Sequence, residues 1–150
     1  MTDDRRQTTD VWLDHGREGI AKSDAVSYLG AVQDYRRLFM WQRARSVNKR
    51  IYRLTGKFPR DERFGLTQQM RRAAISITSN IAEGCGRDTE NDLAIFLSFA
   101  SGSAHELESQ VFAAMDLGFV EENSIVALMD EIAEVKAMLF AYRRTIRANG

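Results

Sequence analysis

Residues 58–84 read FPRDERFGLTQQMRRAAISITSNIAEG, a stretch that holds the only proline of the chain, Pro59, and whose reading decides the fold. From Thr67 onward Met70, Ala73, Ala74, Ile77, Ile81 and Gly84 recur at three- and four-residue spacing, the period of one helix face. Arg72, Ser76, Asn80 and Glu83 run beside that stripe at the same spacing. A helix with small residues on its buried side is built to be surrounded by other helices. Gly65 separates a first turn, residues 59–64, from the helix proper, with Thr67 or Asp61 as the expected cap.

Upstream, Met40, Trp41, Ala44, Val47, Ile51 and Leu54 form a second helical stripe, ended by Gly56 and Pro59. Arg45, Lys49 and Arg53 stand four residues apart on the opposite arc, flanked by Arg43 and Arg50, and the helix carries no acidic residue. Like charges four apart repel by a few tenths of a kcal/mol, so a plain solvated helix usually mixes signs. This arc therefore calls for a negative partner.

Downstream, Gly84-Cys85-Gly86 closes one helix, and Thr89 with Asp92 opens the next in a near capping box. That third helix runs to about Leu117, with Gly118 as its stop and Leu93, Phe96, Leu97, Ala100, Ala104, Leu107, Val111 and Ala114 as its core positions. Its midpoint, residues 100–104, is a run of five small residues in which Gly102 suggests close approach of another backbone. Folding this helix back on its predecessor is expected to bring the small patch near Met70–Ala73, with Glu106 pairing with Arg71 or Arg72. A fourth helix over about 123–147 has Ile125, Leu128, Ile132, Val135, Leu139, Tyr142 and Ile146 on its stripe. The expected architecture is all-α, an up-down antiparallel four-helix bundle over residues 35–150. Residues 1–34 show no sustained period and read as an N-terminal arm with at most one short helix near 24–32.

Net charge is zero, yet residues 1–35 carry 4 basic and 7 acidic side chains, residues 36–72 carry 12 and 2, and residues 73–150 carry 5 and 12. Segregation of this kind points to an anionic partner for the basic block, or to basic and acidic faces that meet between subunits. A third arrangement places basic and acidic helices side by side within one chain. The single cysteine, Cys85, excludes an internal disulfide and a multi-cysteine zinc site. It fits a reducing compartment, so a cytoplasmic location is expected. No apolar run has signal-peptide or membrane-spanning length.

Chemistry is sparse. Ser76, Asn80 and Glu83 at helical spacing resemble catalytic types, but a buried polar line needs hydrogen bonds, and facing helices supply them. Arg71, Arg72, Ser76, Asn80, Glu83 and Glu106 accordingly read as a structural polar network. His15 and His105 are far apart, and His105-Glu106 lacks the second histidine of a zinc helix motif. Gly84-Cys85-Gly86 lacks the lysine of a phosphate loop. No enzyme activity, cofactor or metal is expected. The basic arc, Arg43, Arg45, Lys49, Arg50 and Arg53, is expected to bind nucleic acid through phosphate rather than bases, suitable aromatics being absent from that face. The competing expectation is a purely structural oligomer.

These residues resemble the small bacterial four-helix-bundle proteins first known from intervening sequences in 23S ribosomal RNA genes. The similarity runs through Tyr35, Leu38, Trp41, Gln42, Ala44, Phe58-Pro59, Phe64-Gly65-Leu66 and Arg71-Arg72-Ala73 to Ser79-Asn80-Ile81-Ala82-Glu83-Gly84, the most specific run, and on to Gly102-Ser103, Glu106-Leu107-Glu108 and Leu117-Gly118. About three quarters of the chain is covered, and the arm is not. Thr78 stands where members often have proline, and Gln68 where serine is frequent. The resemblance implies a helical bundle assembled into a ring, commonly of five subunits, with no established enzymatic activity. A related group accompanies the reverse transcriptases of diversity-generating retroelements, and nucleic-acid binding is its suspected role. The resemblance thus implies further copies of the chain as partners; RNA or DNA and a protein partner are expected beside them, and the lack of a long apolar run speaks against a membrane.

Overall fold

The computed structural model describes residues 34–149. The expected arm, with its short helix, lies outside the described residues apart from Asp34. Four α-helices follow: α1 (Phe39–Thr55), α2 (Leu66–Cys85), α3 (Glu90–Asp116) and α4 (Val126–Asn149). Short 3-10 turns at Tyr35–Arg37, Arg60–Glu62 and Glu122–Ser124 precede α1, α2 and α4. Helix α1 packs on α2, α2 on α3, α3 on α4, and α4 back on α1, so the bundle closes in chain order.

The stripes meet as their spacing predicts. Ala44, Val47 and Ile51 of α1, Met70, Ala74 and Ile81 of α2, Leu97, Ala104 and Leu107 of α3, and Ile132, Val135 and Leu139 of α4 are fully buried. Each large aliphatic side chain so removed from water contributes about 1.5–3 kcal/mol, enough to hold helices that would be marginal alone. Phe58, in the α1–α2 connection, packs against Phe119 in the α3–α4 connection with ring centroids 5.4 Å apart and planes tilted by 49°, so both loops close the same end of the bundle.

Helix ends follow local chemistry. The Thr89 hydroxyl accepts from the Asp92 amide at 3.1 Å and donates to its carboxylate at 2.8 Å, which is the expected cap of α3. Gly118 adopts φ +73°, and the amides of Gly118 and Phe119 donate to the carbonyls of Met115 and Ala114, a Schellman ending. The start of α2 differs from expectation. Neither Thr67 nor Asp61 caps it: Thr67 is buried, and the Glu62 carboxylate accepts from the Leu66 amide at 2.9 Å. A negative group there also suits the positive end of the helix dipole.

Three expectations about the α2–α3 pairing need correction. The Ser76 and Ser103 hydroxyls meet at 2.9 Å, so the small patch lies roughly one turn further along α2 than Met70–Ala73. Gly102 is exposed with open space where a Cβ would sit, whereas a Cβ on Gly84 would lie 2.9 Å from Phe96 Cβ and 3.0 Å from Leu93 Cδ1. The close approach of helices is therefore at Gly84. Glu106 is exposed and accepts from Gln110 at 3.1 Å, while Arg71 turns toward α1 and donates from Nε to Thr55 Oγ1 at 2.9 Å. The proposed pairing of Glu106 with an arginine of α2 is absent because Arg71 points to the other neighbouring helix.

At Thr78 the departure from proline has a structural consequence. Its hydroxyl donates to the Ile75 carbonyl at 2.9 Å and accepts from Asn48 Nδ2 at 3.1 Å, tying α2 to α1. Proline could not make this bond.

Candidate nucleic-acid interface

The basic residues of α1 divide into two sets once α4 is beside them. Arg43 Nε lies 2.9 Å from Glu134 Oε2, and Arg50 Nε lies 3.0 Å from Glu131 Oε1, which also accepts from Ser46 Oγ at 3.2 Å. The expected five-residue arc is thus narrowed to three, because part of its negative partner is the chain's own α4. The Glu131 side chain is only 11 % exposed against 45 % for Arg50. Removing the guanidinium would leave a largely buried carboxylate with one neutral donor. Arg50→Gln is therefore expected to cost about 1–2 kcal/mol, at the low end for a buried group because the arginine is half in water. A thermal melt would show a drop of about 2–8 °C for a chain of this size. An unchanged melt would mean that the pair does not hold α1 to α4.

Arg45, Lys49 and Arg53 are exposed and have no carboxylate partner among the described residues. Spaced four apart, they line one side of α1 over two turns. The Arg45 guanidinium sits 5.1 Å from the centroid of the Trp41 ring, one turn earlier. Tyr52, 45 % exposed, lies three residues beyond Lys49. The expectation that aromatic rings are absent from this face is corrected accordingly. Trp41 belongs to the edge of the stripe rather than its centre, so its ring is only half-buried.

The polar residues of α2 form separate contacts. Asn80 Nδ2 donates to the Ser76 carbonyl at 2.8 Å and to the Ser76 hydroxyl at 2.9 Å, which in turn meets Ser103. Glu83 pairs with Arg87 at 2.9 Å on the surface. Arg72 is exposed and has no ion-pair partner among the described residues. Ser76 and Asn80 are thus engaged in joining α2 to α3. Burial pushes the Cys85 thiol up to about 11, so it remains protonated at neutral pH and is a poor nucleophile. His105, exposed on α3, contacts the Ser101 carbonyl of its own helix at 2.7 Å.

Between the end of α1 and the start of α2 lies an open groove of about 600 Å³ lined by Tyr52, Arg63, Phe64, Thr67, Gln68, Arg71, Arg72, Ile75 and Ser76. Sequence reasoning missed it. The signal available was Arg63-Phe64, a cation beside a second aromatic residue in a connection that already holds Phe58. Among the described residues no helix is long and apolar enough to cross a membrane.

Residues 36–141 match the model of the family described as 23S rRNA-intervening sequence protein. No curated protein matches the chain.

Proposed function

The chain belongs to the 23S rRNA-intervening sequence protein family, and on that premise we propose that it is a non-enzymatic, nucleic-acid-binding accessory protein of the cytoplasm. The reading is carried by Arg45, Lys49 and Arg53, three exposed cations one turn apart with no carboxylate beside them among the described residues. Phosphates along a nucleic-acid backbone match such a row, and each arginine can present two donors to one phosphate. Contacts of this type position the chain without reading bases. Gel shifts with single- and double-stranded RNA and DNA test the reading. A complex that weakens steeply as salt rises supports it, and the absence of any complex at low salt contradicts it.

A second reading, self-assembly, is favoured by apolar side chains left in water. Ile95 and Phe99 stand one turn apart on the outer side of α3, and Phe140 of α4 is 60 % exposed. Because Arg43 and Arg50 are already paired within the chain, apolar contacts rather than charge pairing would carry the assembly. We expect the ring of five that the resemblance implies, in which a head-to-tail contact closes on itself. Light scattering should return about five times the 17.1 kDa chain mass. A monomer at tens of micromolar would remove this reading.

A further inference from the structure

We propose that the groove between α1 and α2 holds one unpaired nucleotide of a bound single strand, its base against Phe64 and its phosphate on Arg72 and Arg63. The inference rests on the nucleic-acid reading of the α1 face and adds a base-binding subsite to it.

Phe64 is 81 % exposed, the most exposed large apolar side chain of the described residues, and its ring lies 5.5 Å from the Arg63 guanidinium. Also lining the groove, the Arg71 guanidinium sits 4.5 Å from the Tyr52 ring and is fixed by its bond to Thr55. No carboxylate lines the groove, and none of its arginines is in an ion pair among the described residues. At about 600 Å³ it falls within the about 300–1,000 Å³ of small-molecule sites. One exposed ring, a second ring covered by the Arg71 guanidinium, and three cations outside any ion pair among the described residues fit a ligand that joins a flat π-system to a negative charge. A nucleotide is such a ligand. An acidic peptide would use the arginines but leave the rings without a matching partner.

Position adds a second argument. Lys49 and Tyr52 are three residues apart on α1, so the row Arg45, Lys49 and Arg53 leads into the groove. A strand whose phosphates follow that row would deliver a base to Phe64. Bases inside a duplex have their faces covered by their neighbours, whereas an unpaired base offers its face to an aromatic ring. RNA and DNA single strands share this chemistry.

Fluorescence anisotropy of the full chain with a labelled mixed-sequence single strand, as RNA and as DNA, and with the matching duplex, tests the inference. Phe64→Ala should weaken single-strand binding roughly tenfold, the loss of one base–aromatic stack, and leave duplex binding within about twofold. Phe64→Trp should retain it. Equal loss on both forms, no loss on either, or a changed assembly mass with unchanged binding overturns the proposal. The exposed position of Phe64 keeps folding out of the result, and circular dichroism checks it. If Phe64→Ala is silent while loss of the α1 cations abolishes binding, the groove falls and the α1 face stands. If the α1 variant binds normally while Phe64→Ala does not, the groove stands and the α1 reading falls. A wild-type chain that binds no strand removes both.

Discussion

Replacing Gly84 with valine is expected to destabilise the bundle by about 3 kcal/mol, because helices α2 and α3 touch there with no room for a side chain. An alanine methyl would already sit 2.9 Å from Phe96 Cβ and 3.0 Å from Leu93 Cδ1, closer than packed carbon atoms tolerate. The Leu93 methyl ends a flexible side chain and can turn aside, but Phe96 Cβ and the Leu93 carbonyl, 3.4 Å away, are fixed to the backbone of α3, so the helix itself must shift. Overpacking of this kind costs about 1–3 kcal/mol, and valine adds two methyl groups beyond alanine. Gly84→Ala regains about 1 kcal/mol of helix propensity and should therefore cost less than valine. A loss of about 3 kcal/mol lowers the melting temperature by about 6–12 °C in a chain of this length. A valine variant that melts with the wild type would mean that α2 and α3 stand further apart than described.

The same glycine shows how far the sequence could be read. Apolar residues at three- and four-residue spacing were sufficient to place all four helices, since a buried face imposes that period whatever its neighbours are. Thr89 and Gly118 were legible because caps depend on residues within one turn of them. What escaped depended on how helices rotate against each other. Gly84 and Gly102 look alike in a helical pattern, and only the rotation of α2 and α3 turns the first toward a neighbour and the second toward water. Arg71 and Arg72 are adjacent, yet one reaches Thr55 on α1 and the other remains exposed.

Charge was legible only in part for a related reason. A helix without acids pointed to an outside anion, to a neighbouring subunit or to an acidic helix of the same chain, and the last holds for Arg50 and Arg43, because the bundle closes α4 onto α1 and sets Glu131 and Glu134 beside them. The groove at Phe64 was hidden by its place in a connection, where an aromatic residue shows no period. Its arginines come from two different elements, the turn after Arg60–Glu62 and helix α2, and only the folded connection brings them together.

The largest expected effect on binding comes from Arg45→Gln/Lys49→Gln/Arg53→Gln. Glutamine keeps helix propensity close to that of arginine and lysine, so α1 should persist. The three positions are exposed and make no ion pair among the described residues, so the core loses nothing. Each lost phosphate contact removes roughly 0.7–0.9 from the slope of log affinity against log salt. Three contacts per chain correspond to a slope shallower by about 2–3 and to affinity roughly 100-fold weaker at physiological salt. Arg50→Gln provides the contrast, since its expected cost is in stability and its slope should match the wild type. The most direct test is therefore the salt dependence of affinity for the triple variant beside the wild type, with helix content and assembly mass followed in parallel. A shallower slope with fold and mass unchanged is expected; equal slopes, or an assembly that dissociates while binding persists, would contradict phosphate binding by Arg45, Lys49 and Arg53 and assign the α1 face to a contact between subunits.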